Sequence, residues 1–367
     1  MQPAEEDPRY LTEQLITYIG NKRALLPLIR RGVEAVRERL GSGRSMRVLD
    51  AFSGSGVVSR LLKPYCSHLY SNDLEDYSRI LNTCYLSNHS ALHLQQLTEL
   101  HRELCEQIEA HPTPGLITEL YAPADDEHIQ PGERVFYTHR NAVFLDTARQ
   151  AIEQLPQELR PYFLAPLLTQ ASVHTNTSGV FKGFHKNAEG IGQFGGRAQN
   201  ALQRILAPIS LPLPIFSRHE CEVSVLQQDA LMAARSIPEL DLAYLDPPYN
   251  QHPYGSNYFM LNLLVNYKRP STISRVSGIP NSWNRSVFNV RAQAAQALAE
   301  LVEAISAPFI LISYNSEGFI TPQQMEEMLR PLGKLTTLRQ SYTTFRGCRN
   351  LRNRSNKVDE LLYLLEK

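Results

Sequence analysis

Residues 46–73 do most to narrow what this chain can become. Met46-Arg47-Val48-Leu49-Asp50 reads as a short strand and Phe52-Ser53-Gly54-Ser55-Gly56 as a glycine turn. Val57 to Leu62 starts a helix, and Leu69-Tyr70-Ser71-Asn72-Asp73 reads as a second strand, with a helix from about Tyr77. Strand, turn, helix and strand in so short a run predict a βαβ unit, and with it a parallel sheet carrying helices on its faces. The alternation resumes with strands at 223–226 and 242–245, separated by a helix near 228–235. Later come a strand at 309–313, a helix near 322–330, and strands at 335–340 and 358–364. Upstream, a periodic apolar run predicts helix over 11–40, broken at Gly20-Asn21.

Residues 85–220 fit this alternation poorly. Their first half, to about 132, is acidic and helical in pattern; their second half is rich in Gly, Asn, Phe and Lys, then in proline. An insertion of this size in an α/β domain usually supplies binding rather than scaffold. The expected organisation is therefore 1–84 and 221–367 as one domain, with 85–220 as an inserted smaller lobe.

Composition narrows the function classes. The 37 basic and 37 acidic residues leave a formal net charge of zero, which argues against an indiscriminate polyanion binder and requires local basic surface for any nucleic-acid role. Five scattered cysteines without a Cys-x-x-Cys pair suggest reduced, cytoplasmic thiols. The N-terminal residues lack a signal-peptide apolar region, and no apolar run reaches transmembrane length. None of the 11 histidines has convincing metal-ligand spacing, so no metal is expected; His174, His185 and His252 read as polar contacts or surface residues.

The sharpest chemical signal is Asp246-Pro247-Pro248-Tyr249, which follows the apolar stretch 242–245 and so falls where a buried strand ends. Asp246 can accept one N–H of a planar amine, the Pro247 carbonyl can accept the other, and Tyr249 can stack on the attached ring. Pro247 and Pro248 have no N–H and fix φ, so the turn is stiff and rich in acceptors. Two acceptors on one amine would aim its lone pair at an electrophile, which makes this a site for alkylating an amino nitrogen.

Asp50, Phe52, Gly54 and Gly56 form a glycine turn that opens a helix, where backbone can approach a ligand closely. A third glycine is missing; Ser59 stands in its position, which weakens a dinucleotide-phosphate reading. Asp73, ending the next strand, is placed to hold ribose hydroxyls. Asp229 can bond an adenine amine of a cofactor or cap the helix it precedes. The turn around Tyr18, Gly20 and Lys22 can close over a cofactor, with Lys22 reaching a ligand carboxylate, or can be a helix break with a solvated Lys-Arg pair.

With these residues in hand, the chain resembles the Dam-like, alpha-order adenine-N6 DNA methyltransferases. Tyr18 to Arg23 matches that family's N-terminal cofactor motif, Asp50 to Gly56 its Phe-x-Gly-x-Gly loop, Asp73 its ribose-binding acid, Asp229 its later cofactor-side acid, and Asp246 to Tyr249 its catalytic tetrad. Residues 191–197 are similar to its Phe-Gly recognition region, and 250–258 and 342–347 resemble a restriction-modification or phage branch. The Arg-Tyr-Asn run common in Dam is missing, so its target sequence does not carry over. The resemblance implies a Rossmann-like α/β domain with an inserted, mainly helical target-recognition lobe, S-adenosyl-L-methionine as cofactor (S-adenosyl-L-homocysteine as product), a flipped adenine in double-stranded DNA, a possible cognate restriction endonuclease, and a monomer.

DNA contacts are sought in basic stretches. Lys268, Arg269, Arg275, Arg285 and Arg291 occur without an acid between 268 and 291, and a second acid-free run from 334 to 357 includes Arg346 and Arg349. Both runs can neutralise phosphates or can be solvated surface. Residues 277–284, with the single tryptophan Trp283, read as a mobile loop that could cross the duplex beside an extruded base. Lys182, Lys186, Asn187, Gln193 and Arg197 are the candidate base readers. The same amine grip would also suit cytosine N4, RNA adenine or a protein glutamine, and a chain that kept the fold but lost catalysis would bind DNA only.

Overall fold

The computed structural model describes residues 6–196, 199–343 and 357–367. The chain divides into two compact units, a helical one formed by 1–21, 75–218 and 254–284 and a sheet one formed by 22–74, 219–253 and 285–367.

In the sheet unit, the described residues form seven strands: β1 Met46–Asp50, β2 Cys66–Asp73, β3 Glu222–Gln227, β4 Leu242–Leu245, β5 Phe309–Asn315, β6 Lys334–Thr343 and β7 Lys357–Glu366. Their order is β3-β2-β1-β4-β5-β7-β6. The first five pair in parallel, and β7 runs antiparallel to both β5 and β6. This is the expected α/β sheet, with every strand predicted from the sequence present. Chain order reverses between β1 and β4, so the carboxyl ends of those two strands flank the crevice where ligands bind in such sheets.

Burial explains the sheet's position. Leu49, Ala243, Leu245, Ile310, Ile312, Tyr363 and Leu365 pack in one core with apolar residues from the helices Ala230–Ser236, Arg291–Ala304 and Pro322–Leu329. The helix Leu26–Leu40 lies against Leu311 and Leu362, and Gly32 lets it approach: a Cβ there would stand 2.8 Å from Leu362 Cδ2.

The helical unit has its own core. The helix Leu94–Ala110 buries only Leu97, Leu104 and Ile108 along one stripe, whereas Pro161–Val173 is buried nearly all round and is central. The domain boundaries expected at 84/85 and 220/221 fall at 74/75 and 218/219, and the unit also takes in 1–21 and 254–284. The first shift arises because the helix Asp76–Tyr85 packs on Pro161–Val173 instead of the sheet.

The helix expected over 11–40 is much shorter than its periodicity suggests: α-helix covers Arg9–Thr12 and Leu26–Leu40, with one 3-10 turn at Arg23–Leu25. Between them the backbone is held by side chains. Ile19 N–H donates to the Tyr258 hydroxyl at 2.7 Å, and the Tyr254 hydroxyl donates to the Ile19 carbonyl at 3.0 Å. Tyr18 stacks on both tyrosines, with centroids 5.0 Å away in each case. Residues 277–284, read as a mobile loop, belong to a folded hairpin: Ser274 and Asn281 donate to Ile279 and Thr272, and Tyr121 donates to the Gly278 carbonyl.

Candidate active site

Three loops leave the same edge of the sheet. Asp50 ends β1 opposite Ser71 of β2 and Tyr244 of β4, so Asp73 and Asp246 each lie two residues beyond its partners. The Ala51 N–H donates to the Tyr244 carbonyl and the Ser53 N–H to Asn72, which ties the glycine turn to both neighbouring strands. Gly54 and Gly56 have φ of 51° and 76°, the left-handed region that favours glycine. Asp73 Oδ2 accepts the Gly54 N–H at 2.8 Å, fixing the turn and the carboxylate together.

Asp50 is fully buried, and Ser59 Oγ donates to its Oδ2 at 2.6 Å. Among the described residues its Oδ1 has no well-formed hydrogen bond, although the Phe52 backbone lies near the carboxyl. Burial pushes this carboxyl up to about 7, with Ser59 opposing and the Asp246 and Asp73 charges adding to the rise. An orphaned acceptor beside an open glycine turn suits a ligand bearing a cationic amine, and the Asp73 carboxylate suits a diol. These residues fit the amino-acid and ribose parts of S-adenosylmethionine.

The tetrad leaves β4 at Asp246. Lys22 Nζ sits 2.9 Å from Asp246 Oδ1 and 3.4 Å from Glu360 Oε1, with only 4 % of its side chain exposed. Lys22 is therefore not a solvated residue of an open turn. Burial opposes its charge, but the two carboxylates outweigh that and hold the ammonium well above the ordinary lysine value. Asp246 is pushed up to about 6, first by burial, with Lys22 pulling it down and Glu360 pushing it up. Tyr249 packs edge-on to Tyr314 at 6.1 Å, its ring lies 5.6 Å from the Lys22 ammonium, and its carbonyl accepts the Phe319 N–H. The tyrosine is thus held upright by β5 and the loop after it. Pro247 is buried, and Pro248 is half-buried.

Asp229 is exposed and caps its helix, accepting the Leu231 N–H at 2.9 Å. It also lines a cleft of about 330 Å³ with Leu231, Phe288, Gln293, Gln296 and Glu300. Phe52 meets Phe288 edge-on at 5.2 Å, joining this wall to the glycine turn. Tyr18 and Gly20 lie in the helical unit, unlike Lys22.

Sequence reasoning missed Glu360 and Ser313. Glu360 is 1 % exposed and accepts from Ser313 Oγ at 2.8 Å. A charged residue inside the apolar run 358–365 was the available signal.

The candidate DNA residues are unevenly available. Lys182, Lys268 and Arg275 are exposed; Lys186 is exposed with its ammonium 4.9 Å from the Phe184 ring. Asn187 uses its side-chain carbonyl to accept from the Glu189 and Ile191 N–H groups, and Gln193 donates to the Gly195 carbonyl. Arg269 is paired with Glu119, and Arg339 with Asp359, so acids distant in sequence offset two of the acid-free runs' cations. Arg285 is exposed in the sheet unit. Arg197, Arg346 and Arg349 lie outside the described residues. Among the described residues no group of three or more His, Cys, Asp or Glu side chains is arranged to hold a metal ion, and no helix is long and apolar enough to cross a membrane.

An α/β sheet with a glycine turn after β1, an acid closing β2 and an Asp-Pro-Pro-Tyr turn after β4 is the frame of an amino-group methyltransferase. Residues 18–328 match the D12 class N6 adenine-specific DNA methyltransferases, and the chain belongs to that family. Its activity is site-specific methylation of adenine in DNA. The type II methyltransferase M.NlaIII of Neisseria lactamica is 28% identical over 361 residues, covering 96% of this chain and 99% of its own. M.CviAII of Paramecium bursaria Chlorella virus 1 is 27% identical over 365 residues, covering 95% and 98%. M.FokI of Planomicrobium okeanokoites is 26% identical over 365 residues, which cover 95% of this chain but 52% of the longer relative.

Proposed function

We propose that the sheet unit binds S-adenosyl-L-methionine along the carboxyl ends of β1, β2 and β4, and that Asp246-Pro247-Pro248-Tyr249 grips N6 of an adenine extruded from double-stranded DNA. The observation that carries this reading is the register of β1 with β4, where Asp50 pairs with Tyr244 and so brings the cofactor turn beside the amine grip.

When bound, S-adenosylmethionine supplies a methyl group on a sulfonium centre and leaves as S-adenosylhomocysteine. Asp50, Phe52, Gly54 and Gly56 cradle its amino-acid part, Asp73 takes the ribose hydroxyls, and Asp229 with the Phe288 cleft takes its adenine. Lys22 belongs to this machinery through Asp246. The target base must leave the stack, because its N6 cannot reach an enclosed site from within a duplex. Stacking on Tyr249 recovers roughly 1–3 kcal/mol of the unstacking cost. Asp246 and the Pro247 carbonyl accept the two N–H groups and direct the lone pair outward, while Pro248 stiffens the turn. The surplus proton leaves N6 after transfer, so Asp246 need not be a strong base. Rate then comes from positioning and fixed charge.

The helical unit supplies target recognition in this reading. Lys182, Lys186, Asn187, Gln193 and Arg197 are the base-reading candidates, while Lys268, Arg269, Arg275, Arg285, Arg346 and Arg349 contact phosphates. Tyr18 and Gly20 are assigned to the cofactor lid by the family motif they match. Modification enzymes among the relatives support a cognate restriction endonuclease; a cytoplasmic, monomeric enzyme that uses no metal completes the proposal.

Purified enzyme incubated with S-adenosylmethionine and plasmid, followed by digestion to nucleosides, should yield N6-methyladenine. Asp246→Ala should abolish that product while cofactor binding persists. N4-methylcytosine as the product, or near wild-type methylation by Asp246→Ala, would overturn the assignment.

A further inference from the structure

Behind the tetrad runs a buried polar chain that the sequence motifs do not include. Ser313 Oγ on β5 donates to Glu360 Oε1 on β7 at 2.8 Å, the same carboxylate faces Lys22 Nζ at 3.4 Å, and Lys22 faces Asp246 at 2.9 Å. Ser313 and Glu360 are each 1 % exposed. A carboxylate as buried as that of Glu360 carries a desolvation cost of several kcal/mol and is retained only where it is paired. Two carboxylates share one ammonium here. If Lys22 had Asp246 as its only anion, turning Asp246 toward a substrate amine would strand a buried cation. With Glu360 present, Lys22 keeps a partner while Asp246 changes its hydrogen bond.

We propose that Glu360, pinned by Ser313, is a positioning residue of methyl transfer: it keeps Lys22 paired and in place, so that Asp246 is free to turn and accept the target N6 hydrogen. The inference rests on Asp246 being the amine acceptor. Among the described residues, the other titratable groups around Asp246 are Asp50, Tyr244 and Tyr249, and none of them faces Lys22 as an anion in the way that Glu360 does.

The test is the pH profile of kcat/KM for plasmid methylation by the full chain. Glu360→Gln keeps the shape but removes a negative charge beside Lys22 and Asp246. Its loss eases ionisation of Asp246, so the acid limb should move down by about half a unit to one unit. With Lys22 less firmly held, kcat on the plateau should fall roughly tenfold. Ser313→Ala leaves both charges and should lower kcat by a smaller factor with the limb unmoved. A rate loss in Glu360→Gln without movement of the limb would make Glu360 merely structural and overturn the proposal, as would an unchanged plateau rate. Should Glu360→Gln fail to fold, unchanged kinetics of Ser313→Ala would overturn it. An active Asp246→Ala would bring down the amine-acceptor reading itself; an inactive Asp246→Ala beside an unaffected Glu360→Gln would bring down this inference alone.

Discussion

Lys22 Nζ and Asp246 Oδ1 stand 2.9 Å apart inside the sheet unit, joining the segment that precedes the sheet to the first residue of the Asp-Pro-Pro-Tyr turn. Among the described residues, Lys22 carries the only ammonium paired with Asp246 and Glu360, and Lys22→Met removes it. The buried Glu360 and part-buried Asp246 carboxylates then lose this counter-charge, and breaking a buried pair typically costs about 3–5 kcal/mol, an upper bound for the part-buried one. Protonation of Asp246 relieves part of this, so the acid limb of the activity profile should move to higher pH, opposite to the direction expected for Glu360→Gln. Thermal melting and a pH–rate profile on one preparation check both. A melting temperature and limb equal to wild type would refute the pairing.

Tyr249 is held by Tyr314 and by the Phe319 N–H, so its ring is pre-set before any base arrives. Tyr249→Phe keeps the stacking face and should retain methylation within a few fold. Tyr249→Ala should lose roughly 10- to 100-fold in kcat/KM for DNA, the equivalent of a lost stack of about 1–3 kcal/mol. A duplex carrying a mismatch at the target should recover part of the alanine variant's deficit, because unstacking is then cheaper. Equal losses in the two variants would point to the hydroxyl instead.

Burial raises Asp50 to about 7 and Asp246 to about 6, and these directions fix a sign. A carboxyl whose folded pKa lies above its unfolded value of about 4 binds protons more tightly when folded. The stability this gives is present below the unfolded value and is lost as pH rises through about 6 to 7. Cofactor-free protein should therefore gain from Asp50→Asn at pH 8, by a few kcal/mol at most, and gain little at pH 4.5. Activity should run the other way under the proposed mechanism, in which ionised Asp246 accepts the amine: kcat/KM should climb with pH through about 6. Denaturant midpoints for wild type and Asp50→Asn at the two pH values decide the first point.

β4 and β5 were the most legible strands because each is an apolar run cut by turn residues, and parallel strands buried on both faces carry that signature strongly. The glycine turn, Asp73 and the tetrad could be assigned to one sheet edge for the same reason. Residues 13–19 read as helix, whereas the backbone of Ile19 is bonded by Tyr254 and Tyr258, partners far along the chain that no local pattern reveals. Glu360 was invisible as a partner of Lys22 on similar grounds: the two meet at 3.4 Å although they are far apart in the chain, and no local pattern encodes it. Counting charges along the chain also overlooked Glu119 beside Arg269.

That last pair yields a prediction about DNA. Arg269 and Glu119 are both largely exposed, and such surface pairs contribute about 0–1 kcal/mol, so the pair can open without much cost. If Arg269 contacts a phosphate, it must leave Glu119, and the vacated carboxylate then repels the backbone. Glu119→Gln should therefore tighten DNA binding at low salt and steepen the dependence of log K on log salt by up to about one. Lys268→Ala, which removes an exposed cation next to it, should weaken binding and flatten the slope by about one. Arg269→Ala should lie between them, because it deletes a cation that Glu119 already half-neutralises. Fluorescence anisotropy with a labelled duplex over a salt series ranks the three variants. An Arg269→Ala effect as large as that of Lys268→Ala, together with a silent Glu119→Gln, would mean that the ion pair does not restrain Arg269 on DNA.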